Sequence, residues 1–165
     1  MVVAAWPEVV FRSRIELADP SGRVRRNLYQ RARTLELAAA AVQVEAARKV
    51  AAEQASAALR QTLRQAADEG AAVRSCAVVV GAFSGAPLES ILASHALAHA
   101  AEGRLYQEAL LQGAESCGLE AVAVPKRLIV PREGIDQLRR ELGPPWAEDQ
   151  KLAALAAWIA LARAG

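Results

Sequence analysis

Aromatic side chains are scarce in this chain: Phe, Trp and Tyr together make up 4% of its 165 residues. A core with so few rings has to rest on Leu, Val and Ile, and on alanine, whose small side chain lets close-packed helices approach one another. Cysteine is nearly missing as well. Cys76 and Cys117 are the two present, and they form neither a C-x-x-C pair nor a disulfide framework. That excludes a disulfide-stapled fold and points to a reduced, cytoplasmic setting. Long apolar runs are absent: none reaches the ~18 residues of a membrane span. The Ala-rich stretch 152–162 is too short and too weakly apolar, and Pro7 and Glu8 break the opening stretch before it can read as a signal peptide. There is no G-x-G-x-x-G, no G-x-x-x-x-G-K-S/T and no serine nucleophile elbow, which removes nucleotide-hydrolase and α/β-hydrolase readings. Charge of one sign is also lacking. A net charge of +2 is mildly basic and does not by itself predict a nucleic-acid partner.

What is present describes a globular chain, with 53% hydrophobic and 23% charged residues. Its length fits a single domain spanning residues 1–165. Val2, Val3, Val9, Val10, Phe11, Ile15 and Leu17 are β-formers near its start. Over residues 11–17 the side chains partly alternate, with Arg12, Arg14 and Glu16 on one side, which is the period of a half-exposed strand. Asp19-Pro20-Ser21-Gly22 signals a turn, and residues 23–28 read as the returning strand of a hairpin.

Residues 30–69 contain neither Gly nor Pro and are dominated by strong helix formers. One unbroken helix of ~40 residues would run ~60 Å, longer than a domain of this size is wide. It therefore either breaks, near Ser56, or projects and pairs with a second copy as a homodimer. Leu28, Leu35 and Val42 take a heptad step that Lys49 and Ser56 spoil, so an amphipathic helix lying on a sheet is the plainer reading. Gly70 stops it. Residues 76–82, CAVVVGA, read as a strand buried on both faces. Residues 88–116 read as helix in one or two pieces, ended by Gly118. A second inner strand is expected around residues 120–124 and 128–130, and a short amphipathic helix at 134–142. Gly143-Pro144-Pro145 is a hard break before a last helix. A hairpin followed by alternating helices and strands predicts an α/β domain: a mixed sheet flanked by helices, one of them long and Ala-rich.

The two histidines lie four residues apart in Ser94-His95-Ala96-Leu97-Ala98-His99-Ala100-Ala101-Glu102. On a helix that spacing puts them on one face, and Glu102, three residues on from His99, extends the stripe. Two imidazoles and a carboxylate can ligate a metal, and a carboxylate can orient a histidine for acid–base work. The same residues equally read as caps, as an exposed stripe or as an interface. The pattern is not the H-E-x-x-H of zinc proteases, because Ala96 stands where the glutamate would be. Further on, Glu148 and Asp149 open the last helix, where acids complement the dipole. The rigid Pro-Pro entrance also fixes where Asp149 points, and Lys151 is close enough to contact a phosphate. Arg104, Lys126, Arg127, Arg132, Arg139 and Arg140, with the arginine-rich segment from Arg12 to Arg33, could line a nucleic-acid backbone. With few aromatic residues among these basic ones there is no aromatic platform, which weakens a base-stacking reading.

Residues 76–163 resemble the C-terminal half of RuvC-like, RNase H-fold nuclease domains. The likeness lies in the succession of a valine strand (CAVVVGA), a small-residue helix with HAAEGRL, a GLEAVAV strand ending in Pro125-Lys126, and a final helix, DQKLAALAAWIALA, opened by an acid. The resemblance implies an RNase H-like fold and nucleic-acid processing. It makes Asp149 the final-helix metal acid, with a divalent ion such as Mg or Mn bound by His99, Glu102 and Asp149. His95, His99, Glu102 and Asp149 would be catalytic, and Arg104, Lys126, Arg127 and Lys151 would hold nucleic acid. The chain departs from the pattern in two places. The family places an acid in its first strand, where residues 2–6 have none and Glu8, Glu16 and Asp19 are displaced candidates. It places a glutamate at the end of the central strand, where this chain has Gly81 and Ala82. Metal-assisted hydrolysis needs converging acids. Either the histidine stripe supplies a rearranged site, or the domain is a non-catalytic scaffold or dimerisation domain.

Overall fold

The computed structural model describes residues 1–6, 8–17, 27–83 and 85–163. Two short strands, β1 (Val2–Ala5) and β2 (Glu8–Phe11), pair antiparallel with an irregular register. The hairpin therefore lies earlier than the alternation over residues 11–17 suggests. Residues 12–17 are not strand, and the turn and returning strand expected at residues 19–28 fall mostly outside the described residues. Arg12 shows why pairing stops there. Its guanidinium leaves the strand pattern and donates to the carbonyls of Leu142, Gly143, Pro144 and Pro145 at 2.6–3.2 Å.

The long helical stretch does break, but not at Ser56. A short helix α1 (Leu28–Ala32) ends in tight turns, with the Thr34 hydroxyl donating to the Arg31 carbonyl and the Leu35 amide to that of Ala32. Such local bonds compete with helix propagation. Helix α2 (Leu37–Asp68) then runs 32 residues without interruption. Ser56 does not break it because its hydroxyl meets that of Ser116 on a neighbouring helix at 3.0 Å. Of the heptad positions, Leu28 is buried in the chain's own core, whereas Leu35 and Val42 are exposed, Val42 to 71%. The buried stripe is instead Ala40, Val44, Ala47, Ala51, Ala55, Leu59 and Ala66, the amphipathic spacing of a helix lying on a partner.

That partner is another helix more than a sheet. Strand β3 (Ser75–Val80) leads through a loop to α3 (Leu88–Ala93) and α4 (His95–Ser116), and the chain returns in β4 (Glu120–Pro125). Ser94 separates the two helices and caps the second, its Oγ accepting from the Leu97 amide. The α2 stripe packs on Ala98, Ala101, Leu105 and Ala109 of α4. They approach closely at Gly113, where a Cβ would stand 3.1 Å from the Ser56 backbone nitrogen and 3.2 Å from Ala55.

β3 and β4 are parallel and in register from Ser75↔Glu120 to Val80↔Pro125. Alternation gives this pair two covered faces. Cys76 and Ala121 turn to a cluster with Leu59 of α2, Ala114 near the end of α4 and Leu119 in the connection to β4. Ala77, Val79, Val122 and Val124 turn to Ala156, Ile159 and Ala160. These last belong to α6 (Glu148–Arg163), which follows α5 (Ile135–Leu142). Leu128 and Val130 do not extend β4: Lys126–Leu128 is a 3-10 turn, and both apolar side chains are exposed. The molecule is thus an α/β layered structure with one long Ala-rich helix. Its described strands form two separate two-stranded sheets and not one mixed sheet. Among the described residues no helix is long and apolar enough to cross a membrane.

Candidate functional site

Helix α4 runs antiparallel to β3 and β4, because its last turn packs with Cys76 near the start of the strands. It has 22 residues, about 33 Å at 1.5 Å each, against about 20 Å for a six-residue strand. Its first turns therefore reach the end of the sheet where both strands finish. That end carries the loop from Gly81 and the 3-10 turn with Lys126 and Arg127, both exposed. In open parallel sheets this is the edge at which ligands bind.

His95 and His99 stand there on the first two turns of α4, both exposed. Their ring centres are 4.7 Å apart and their planes meet at 64°. Glu102 lies on the same stripe but faces inward. Its two carboxylate oxygens accept from the backbone amides of Leu28 at 3.1 Å and Tyr29 at 3.2 Å. These are the first amides of α1, which no side chain of its own caps. Glu102 thus does the work of an N-cap from another helix, satisfying donors that a helix start leaves open. Its stem lines a small cavity with Leu17, Ala47, Ala51, Leu105 and Tyr106.

Asp149 is exposed in the first turn of α6. That helix stands on the opposite face of β3 and β4 from α4, so the sheet lies between the helix carrying Asp149 and the histidine stripe. The structure brings His95 to His99 and ties Glu102 to α1. Among the described residues no three His, Cys, Asp or Glu side chains converge as a metal site would require. The set of His99, Glu102 and Asp149 expected from the sequence is not assembled, because strand alternation sends its two helices to opposite faces.

The basic residues are also divided. Arg104 pairs with Glu108 one turn on, at 2.7 Å. Arg12 is spent on backbone carbonyls. Lys126 and Arg127 are exposed, and Lys151 is half-buried on α6. Arg132 shows a grouping that sequence reasoning missed. Its guanidinium lies 3.5 Å from the ring centre of Trp158 and 5.8 Å from that of Trp6, and the two indoles meet edge-on at 6.1 Å. The Trp6 indole N–H also donates to the Glu133 carbonyl at 2.7 Å. Nothing in the spacing of residues 6, 132 and 158 signals this cation–π stack. Three tryptophans in a chain poor in rings were the only hint.

Among the described residues three ionisable groups are clearly perturbed by their surroundings: burial lowers the Met1 ammonium, a hydrogen bond to the Tyr29 side chain raises the Arg48 guanidinium, and burial pushes the Cys76 thiol above its ordinary value, a shift that the nearby Met1 ammonium opposes. That favours the protonated thiol at neutral pH and suits the place of Cys76 against Leu59, Ala114 and Leu119. Comparison with protein-family models, curated proteins and solved structures returns no match to this chain.

Proposed function

We propose that this chain is a divergent RuvC-like, RNase H-like domain that acts as a non-catalytic scaffold, binding a nucleic acid or a second copy without cleaving either. The observation that carries this reading is the state of Glu102. Both its carboxylate oxygens are occupied by the amides of α1, so it holds the fold together where a rearranged nuclease site would need it free. The end of β3 supports the same reading. Gly81 and Ala82 stand where the resembled nucleases carry a glutamate, and a Cβ at Gly81 would meet nothing within 4 Å. A hydrolytic site would need several acids at one point. The scaffold would offer the strand-end edge with Lys126 and Arg127 to a phosphate backbone. To a second copy it would offer the outer side of α2, where Leu37 and Val42 stand exposed. Reduced thiols suit a cytoplasmic site of action.

A second reading, a nuclease dependent on Mg or Mn, draws on the exposed histidine pair at that same edge. One experiment separates the two. Purified protein and its His99→Ala variant are incubated with single-stranded, duplex and branched DNA and RNA, with Mg or Mn. The scaffold reading expects binding to one of these substrates, or a dimer by light scattering, with no cleavage. Cleavage that disappears in His99→Ala would replace it with the nuclease reading.

A further inference from the structure

We infer that His95 and His99 form a two-imidazole site for a borderline divalent cation, zinc above all. This goes beyond the scaffold reading and does not depend on it. Four-residue spacing on α4 puts both rings on one face, and their centres lie 4.7 Å apart. A tetrahedral zinc bound to one nitrogen of each ring, at ~2.0–2.1 Å, would itself set the ring centres about 5 Å apart. The ring centres already stand close to chelating separation.

The surroundings favour the same ligand. Both side chains are exposed, and among the described residues no hydrogen bond or ion pair engages either ring. The ring nitrogens are therefore open to an ion from solvent. Imidazole suits zinc, nickel and copper, whereas magnesium and calcium prefer oxygen donors. The one carboxylate on the stripe is held at α1, so the donor set at the surface is nitrogen alone. Two coordination positions then face outward, to be filled by water. The start of α4 is the positive end of its dipole, which opposes a cation and keeps the affinity moderate.

The test uses the whole protein and zinc chloride alone. The chain has only two histidines, so the imidazole Hε1 region of its proton NMR spectrum holds two assignable signals. Zinc should move both together, saturating as for one ion per chain with two water-filled positions, and a chelator should reverse it. Magnesium chloride should move neither. His95→Ala and His99→Ala should each abolish saturation of the remaining ring signal while the circular dichroism spectrum stays unchanged. The inference is overturned if only one signal responds, if His99→Ala leaves the His95 response intact, or if magnesium acts like zinc. Zinc uptake with both imidazole signals still, as through Cys76 or Cys117, overturns it too. A null result in the nuclease assay leaves this outcome untouched, so the two readings fail separately.

Discussion

The two sides of the β3–β4 pair are built on different physics. On one side, α2 and α4 meet through alanines and Gly113, close enough that an added Cβ would press on the backbone. On the other, α6 covers the strands through a small cluster of Val, Ala and Ile, with Arg132 stacked on Trp158 near by. The first side gains from many close dispersion contacts and tolerates little change in volume. The second depends more on a few large side chains at a partly solvated surface. An unpaired polar group beside this apolar seam would also be costly. That is why Glu102 ends up bonded to the α1 amides and not free in a site.

The largest effect expected on the helical side comes from Tyr29, which is 2% exposed in the cluster with α2 and α4. Tyr29→Ala should cost about 3–5 kcal/mol, read from the midpoint of chemical denaturation. Gly113→Val should come next, at about 1–3 kcal/mol, because the clash falls on the α2 backbone and cannot be relieved by a side-chain rotation. If Gly113→Val instead stabilises the protein, the seam is looser than the contrast between the faces requires. Glu102→Ala should cost about 1–2 kcal/mol by orphaning the Leu28 and Tyr29 amides, and Glu102→Gln should recover part of it. An equal loss in both variants would mean that the charge, and not the acceptor oxygen, matters. The smallest effect belongs to the α6 side. Arg132→Ala should cost about 0.5–1 kcal/mol and change the tryptophan fluorescence. Arg132→Lys should behave like the alanine variant if planar stacking is what counts. A loss as large as that of Gly113→Val would erase the distinction between the two faces.

Much of the layout was legible in the sequence. The strand at CAVVVGA, the helical stretch over residues 88–116, and the breaks at Gly118 and Gly143-Pro144-Pro145 all follow from local chemistry, whereas the interruption at Ser94 shows only in the structure. The hairpin was misplaced because Arg12 alternates like a strand residue but is taken by carbonyls more than a hundred residues away. The helix break was expected at Ser56, whose hydroxyl gains a partner on α4 instead. The candidate site was half legible. Helical spacing paired His95 with His99, but nothing local could tell that Glu102 would meet α1, or that Asp149 would ride on the opposite face. The arginine–tryptophan stack was not legible at all.

The sequence by itself determined the class of structure, the Ala-rich character of its long helix and the shared face of the two histidines. Each follows from periodicity and propensity over a few turns. Only the tertiary structure decided which polar groups were left available. Whether a carboxylate is free or capping, and whether an arginine meets solvent, a carbonyl or an indole, depends on contacts between distant segments. A buried or half-buried polar group takes whichever partner the packing brings within hydrogen-bond reach.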